Sequence, residues 1–263
     1  MLTSELDFDL PGDRVAQFPT DRRDRSRLLV YRRSEQSVHH HYFHELPDLL
    51  PSRLRIFRND VSVLKARLFG KRTTGGAVEC LLLRPTEKLD DTWHCLLKPG
   101  GKTARAGRFY LPGEYDATVV KTLPSGEYLV KFDLPKDDDP ADLAQRIGTL
   151  PLPPYVDRPA HEIDDSRYQT VYANPENRTA VAAPTAGLHF TPEILNELKD
   201  KGYSIYDLTL SVGLGTFRPI ETEKIDDHPM HAEEYSIGPE SKKALQDKDG
   251  KTLAVGTTTV RTI

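Results

Sequence analysis

The chain has little that would hold it in a membrane or send it out of a cell. Its longest apolar runs, such as Cys80-Leu-Leu-Leu83, are a few residues, whereas a membrane-spanning helix needs about 20. The first residues, Met1-Leu-Thr-Ser-Glu-Leu-Asp-Phe-Asp9, are acidic and lack a basic stretch followed by an apolar one, so no secretory leader is expected. Only two cysteines occur, Cys80 and Cys95, both in apolar, strand-like sequence. They read as reduced, buried thiols of a cytoplasmic protein. There is no surplus of positive charge either: the net charge is −4, which taken alone argues against a nucleic-acid partner.

What is present fits a folded chain. Apolar residues make up 37% and charged residues 29% of 263, which excludes a disordered protein and allows one large domain or two ordinary ones. The charge is unevenly spread. Residues 13–33 hold seven Arg and three Asp, and residues 53–72 hold seven Lys or Arg and one Asp. Lys98, Lys102, Arg105 and Arg108 follow with no acid among them, while residues 219–250 carry nine acids against four Lys. Such asymmetry can steer a polyanion to one face despite the slightly negative total. A solvated charged face would look the same.

Residues 28–31, 37–43 and 54–57 read as strands. From 61 to 150 the pattern becomes short strands (63–69, 77–83, 92–97, 115–123 and 127–134) separated by Gly and Pro turns such as Pro99-Gly-Gly101. That spacing predicts a small antiparallel barrel or sandwich, with no helix before residues 137–147. Pro151-Leu-Pro-Pro154 marks an exit. Beyond it helix and strand alternate: Thr191-Pro192 caps a helix, residues 203–212 form a strand, 239–247 a helix and 252–255 a strand. The expected architecture is α/β, with a main domain from residues 1–60 and 151–263 and a barrel inserted at 61–150; strand–helix–strand order implies parallel pairing. After the last strand Gly256 reads as a turn and Thr257-Thr-Thr259 as a helix cap. The four residues left are expected to be too few for a helix, so the C-terminal end is read as incomplete.

Four segments carry candidate chemistry. Ala183-Pro-Thr-Ala-Gly-Leu-His-Phe190 leaves an apolar strand just before a helix start, where open α/β sheets place ligands. His189 there is either a site residue or an ordinary core histidine. Val212-Gly-Leu-Gly-Thr-Phe217 also follows a strand, and Gly213 and Gly215 would let backbone approach a ligand, although a plain loop reads the same. His228-Pro-Met-His231-Ala-Glu233 suggests an acid–base cluster, a substrate contact or a surface loop. A metal site is disfavoured, because Pro229 breaks the helix that would set two His at ligand spacing. Val255-Gly-Thr-Thr-Thr-Val-Arg261 offers N–H groups, hydroxyls and an Arg suited to a carboxylate or to ribose hydroxyls. His39-His-His41 splits between the two faces of a strand and is assigned no function.

Taken in order these segments resemble one family. Phe8-Asp-Leu-Pro11, Val15-Ala-Gln-Phe-Pro19 and Arg23-Asp-Arg-Ser-Arg-Leu-Leu-Val30 are similar to its N-terminal signature, and Phe57-Arg-Asn-Asp60 through Ala66-Arg-Leu-Phe-Gly70 to its first core loop. Gly76-Ala-Val-Glu-Cys-Leu-Leu-Leu83 and Leu97-Lys-Pro-Gly100 resemble its inserted barrel. Leu150-Pro-Leu-Pro-Pro-Tyr155, Tyr168-Gln-Thr-Val-Tyr-Ala173, Ala182-Ala-Pro-Thr-Ala-Gly-Leu-His-Phe190, Gly213-Leu-Gly-Thr-Phe-Arg-Pro219, His228-Pro-Met-His-Ala-Glu233 and Gly256-Thr-Thr-Thr-Val-Arg261 follow in register. The chain thereby resembles the S-adenosylmethionine:tRNA ribosyltransferase-isomerases of queuosine biosynthesis. It departs from their pattern at Val61-Ser62, where Thr-Arg is usual, at Ser211, where His is usual, and in stopping soon after the Val-Arg motif.

The resemblance implies transfer and isomerisation of the ribosyl group of S-adenosylmethionine onto 7-aminomethyl-7-deazaguanine at the tRNA wobble position, giving epoxyqueuosine-tRNA with adenine and methionine released. It implies S-adenosylmethionine as co-substrate, no metal or redox cofactor, tRNA as partner and no membrane. Candidate catalytic residues are His189, His228, His231 and Glu233, one of them the base. Thr185, Gly187, Gly213, Gly215, Thr216, Thr257 and Arg261 would line the adenosyl and methionyl pocket. Arg23, Arg27 and Arg67 would contact tRNA phosphates or organise the site. Two other readings stay open at this point. A catalytically inactive tRNA-binding remnant would release no adenine, and a methyltransferase would release S-adenosylhomocysteine, although the Gly-x-Gly here comes too late in the chain for one.

Overall fold

The computed structural model describes residues 1–86, 91–135, 138–213, 220–228, 230 and 232–263, with backbone alone for 178 and 179. The α/β body is built on a four-stranded sheet in the order β13-β12-β3-β14. Strands β3 (Leu54–Asn59), β12 (Ser204–Leu210) and β14 (Lys251–Val255) run parallel, and β13 (Tyr235–Ser236) pairs antiparallel with the end of β12. The expected parallel pairing follows from helical crossovers. Helix α5 (Pro192–Asp200) starts where Thr191 accepts the Ile194 N–H at 3.3 Å, and it buries Ile194, Leu195 and Leu198. These side chains pack with Phe43, Ile56, Phe190 and Val255, the core that seats the sheet. Helix α6 (Pro239–Gln246) precedes β14.

The inserted barrel is closed by six antiparallel strands in the order β10-β7-β6-β5-β8-β9. They are β5 (Arg67–Arg72), β6 (Ala77–Pro85), β7 (Thr92–Lys98), β8 (Arg108–Leu111), β9 (Tyr115–Thr122) and β10 (Tyr128–Asp133). Alternate residues point inward, so Leu68, Cys80, Leu82, Cys95, Phe109, Val130 and Phe132 fill one interior, capped by Leu143 and Ala144 of α3 (Pro140–Ile147). Cys80 and Cys95 are free thiols, and burial pushes the Cys95 thiol well above its ordinary value.

Three expectations change. Residues 63–69 do not form one strand. Ser62–Val63 is β4, paired in parallel with β11 (Arg178–Ala180), so it belongs with the body, and the barrel begins at Arg67. Pro99-Gly-Gly101 is not a simple turn, because Gly100–Ala106 is helix α2; Thr103 Oγ1 donates to the Pro99 carbonyl at 2.7 Å, and Gly107 ends the helix at positive φ. The end of the chain also forms a helix after all, α7 (Gly256–Thr262). Gly256 turns β14 directly into it at φ +82°, so the helix starts earlier than the threonines suggest. Packing on the sheet supplies what its length cannot.

A ribbon of β1 (Arg27–Arg32) and β2 (Ser37–Tyr42) stands apart as a two-stranded sheet. Leu28 anchors its inner side to the Phe43–Phe190 core.

Candidate active site

Strands β3, β12 and β14 end on one edge of the sheet, at Asn59, Leu210 and Val255. Buried Asn59 holds that edge open. Its Nδ2 donates to the Leu210 carbonyl at 3.1 Å, and its Oδ1 accepts from the backbone N–H groups of Leu210 at 3.0 Å and Val61 at 3.2 Å. The side chain thus replaces ladder bonds where the strands splay. Beside it Asp60 accepts from Thr209 Oγ1 at 2.6 Å. The Val181 N–H donates to the Val212 carbonyl at 3.0 Å, which draws the apolar run after β11 alongside the end of β12.

From that run the chain turns through a 3-10 segment, Thr185–His189. Its two sides do different work. Ala186 and Gly187 are pressed inward: a Cβ on Gly187 would lie 2.0 Å from the Tyr172 hydroxyl and 2.9 Å from Thr170 Cγ2, and one on Gly256 would lie 3.1 Å from Ala186 Cβ. No side chain fits at Gly187, and at Gly256 the positive φ also favours glycine. Around this contact the hydroxyls of Thr170, Tyr172 and Thr258 are buried without a hydrogen-bond partner. Burial raises the Tyr172 hydroxyl above its ordinary pKa, and the Arg58 guanidinium stands 4.0 Å over the ring. Arg58 is in turn fixed by Asp207 at 2.5 Å.

Thr185, Leu188 and His189 face a cavity of about 340 Å³ whose other walls include Phe18, Leu152 and Tyr155. The His189 ring lies 5.3 Å from the Phe43 ring. Burial is the main cause lowering its pKa below the ordinary 6.5, and the charge of Arg23 adds to it, against a backbone hydrogen bond at Arg23 that favours the proton. His189 is therefore neutral near pH 7 and able to accept a proton. Arg23 lines the same cavity with its guanidinium engaged, donating to the carbonyls of Gln169 (2.9 Å), Leu188 (3.2 Å) and Ser166 (3.0 Å). Another wall is set by Arg158, which forks onto the nearly buried Asp164 at 2.7 and 2.8 Å and lies under Phe18.

Of the described candidates, Thr185, Gly187, His189 and Arg23 come together at this turn. Thr185 and His189 line the cavity, and Gly187 packs behind them. Gly213 donates its N–H to Glu233 at 3.2 Å, and the same carboxylate, 6% exposed, pairs with Arg261 of α7 at 2.7 Å. Glu233 thus ties the end of β12 to α7. Thr257 is exposed in the first turn of that helix. His228 stands apart at the close of a turn, Ile225–Asp227, that the chain's first residues pair with; its N–H donates to the Ile225 carbonyl at 3.0 Å. Arg27 is exposed on the ribbon, whereas Arg67 opens β5 and pairs with Glu79 at 3.2 Å. Gly215, Thr216 and His231 lie outside the described residues. Among those described, no three His, Cys, Asp or Glu side chains gather as for a metal ion.

Sequence reasoning assigned no role to Asn59, Asp60, Thr170 or Tyr172. The one local signal was the polar alternation Tyr168-x-Thr170-x-Tyr172, which nothing in the chain ties to Gly187 until it folds.

Comparison with known proteins was then informative. The family described as "Queuosine biosynthesis protein" matches residues 3–263. S-adenosylmethionine:tRNA ribosyltransferase-isomerases of Moorella thermoacetica and Desulfitobacterium hafniense are 42% and 40% identical to the chain, over 100% of it and 76% of each relative. A crystal structure of S-adenosylmethionine tRNA ribosyltransferase from Thermotoga maritima aligns with 27% identity and a TM-score of 0.43, covering 98% of this chain and 71% of that one.

Proposed function

The chain belongs to the queuosine biosynthesis protein family, and from that premise we propose that it is an S-adenosylmethionine:tRNA ribosyltransferase-isomerase. In this reading it moves and isomerises the ribosyl group of S-adenosylmethionine onto 7-aminomethyl-7-deazaguanine at the wobble position of tRNA. Epoxyqueuosine-tRNA forms, and adenine and methionine leave. No helix among the described residues is long and apolar enough to cross a membrane, and with tRNA as substrate the cytoplasm is its proposed place of work.

The observation that carries the site assignment is His189, a half-buried, neutral imidazole facing a cavity of about 340 Å³. The sulfonium acidifies the protons on the adjacent ribose carbon. His189 takes one, and the electron pair left on that carbon forms a double bond to its ring neighbour as the ring C–O bond breaks; the freed oxygen becomes a carbonyl at the carbon from which adenine leaves. The amine of the modified base adds to the alkene β to the sulfonium and gives up a proton, the regenerated ylide carbon attacks the carbonyl, and the resulting alkoxide displaces methionine to close the epoxide. A positioned base of this kind contributes about 100- to 10,000-fold. Phe18, Leu152 and Tyr155 give the cavity apolar walls. Thr185, at the cavity wall, with Gly187, Gly213 and Thr257, borders the adenosyl and methionyl groups. Glu233, engaged by Gly213 and Arg261, positions β12 against α7. Arg23, engaged by three carbonyls, shapes the cavity wall, while Arg27 is free to meet tRNA phosphate.

The test is adenine release from S-adenosylmethionine, with tRNA bearing the 7-aminomethyl base and with tRNA lacking it. Base-dependent release supports the reading, and tRNA binding without release sinks it. His189→Gln should lower kcat at least about 100-fold with the S-adenosylmethionine affinity kept. In the native enzyme kcat/KM should fall on acidification with a midpoint below 6.5, because the lowered pKa of the free enzyme keeps the base form populated to lower pH. Normal turnover by His189→Gln would move the base to another residue.

A further inference from the structure

The ribbon of β1 and β2 carries a surface that the fold leaves uncovered. Register pairs Arg27 with Tyr42, Leu29 with His40 and Tyr31 with Val38, so these six side chains share one face. All are exposed: Leu29 58%, Tyr31 56%, Val38 52% and Tyr42 49%, with Arg27 and His40 alike. The opposite face is the anchored one, through Leu28. An isolated ribbon gains nothing from exposing two aromatic and two aliphatic side chains in a row, and such patches mark contact surfaces.

Its charge and position indicate the occupant. Arg25, Arg27 and Arg33 have no carboxylate partner among the described residues, so the ribbon is flanked by free cations. A second copy of the chain would bring this arginine-bearing face against itself, whereas a polyanion is complementary to it. Flat aromatic and aliphatic surfaces beside arginines suit unpaired bases with their phosphates. The ribbon also springs from the rim of the site. Ser26, the residue before β1, lines the His189 cavity, and Phe43, the residue after β2, packs against the His189 ring. The strands extend roughly 20 Å, a length matching about five stacked nucleotides at roughly 3.4 Å each.

We propose that the outward face of this ribbon, Arg27, Leu29, Tyr31, Val38, His40 and Tyr42, is an RNA-docking surface that stacks the unpaired nucleotides flanking the one held at His189. The proposal rests on the tRNA reading above and adds the surface through which the loop is held.

The test is fluorescence-anisotropy titration of the native chain with labelled, unmodified tRNA, repeated for Tyr31→Ser, Leu29→Ser and Arg27→Gln. Tyr31→Ser and Leu29→Ser should each raise Kd about 10-fold, Tyr31→Phe should restore it, and Arg27→Gln should reduce the salt-dependence slope by about 1. The KM for tRNA should rise in adenine release while kcat and the KM for S-adenosylmethionine stay, which a merely unfolded variant would not show. Unchanged tRNA affinity in all three variants overturns the proposal, as does a native dimer in sedimentation equilibrium that Tyr31→Ser dissolves. Ribbon-dependent tRNA binding without adenine release would instead overturn the proposed activity and leave the docking surface standing.

Discussion

The barrel and the α/β body differ in how they treat buried polar groups. In the barrel Tyr115 donates its hydroxyl to the Phe69 carbonyl at 3.0 Å and Thr103 donates to Pro99 at 2.7 Å, and the interior is one continuous apolar cluster. Closure leaves no sheet edge unpaired. In the body the core is divided into several small clusters, sheets of two strands flank the main one, and three hydroxyls beside Gly187 have no partner. An orphaned buried hydroxyl costs about 1–3 kcal/mol. Around Gly187 the body thus forgoes stability that the paired hydroxyls of the barrel retain.

The sharpest way to break this division is Phe132→Ala. Phe132 is 1% exposed inside the barrel, so its truncation should cost about 3–5 kcal/mol in urea unfolding while kcat at 25 °C is unchanged. A fall in kcat with the protein still folded would join the barrel to the chemistry. Arg261→Ala comes next. It strips the nearly buried Glu233 carboxylate of the Arg261 cation and should cost about 2 kcal/mol, partly recovered by adding Glu233→Gln. Independent, additive losses in that double-mutant cycle would show that the pair does not tie β12 to α7. The smallest change in stability is expected from Tyr172→Phe. Removing an unpartnered hydroxyl should leave stability unchanged or raise it by about 1 kcal/mol. A destabilised Tyr172→Phe would show that the hydroxyl has a stabilising role and remove the contrast with the barrel.

Local signals in the sequence were read correctly where the physics is local. Thr191-Pro192 carries a cap and a fixed φ, and α5 begins there. The apolar runs of β3, β12 and β14 declare their burial, and the helix before each of the later two leaves parallel pairing as the short route. The misses have equally specific causes. Helix α2 was hidden because glycines at its start look like a turn until Thr103 and Gly107 supply the caps. Strand β8 was hidden because four residues, Arg108–Leu111, carry too little alternation to register alone. Val63 was assigned to the barrel because its apolar character is the same whether β5 or β11 receives it. His189 stood out because it follows small residues after a strand. Its lowered pKa did not, since that depends on burial in the folded chain and on Arg23, brought to it from a segment more than 100 residues away.

The parallel strand–helix alternation of the body and the presence of an inserted barrel were determined by the sequence, because capping, periodicity and turn chemistry act within a few residues. Tertiary structure alone decided that Gly187 meets Tyr172, that Glu233 is held between Gly213 and Arg261, and that the ribbon's aromatic face is left open beside the His189 cavity. Each of these joins segments from 15 to more than 100 residues apart. Nothing short-range favours such a pairing, and only burial of the shared core makes it the lowest free energy.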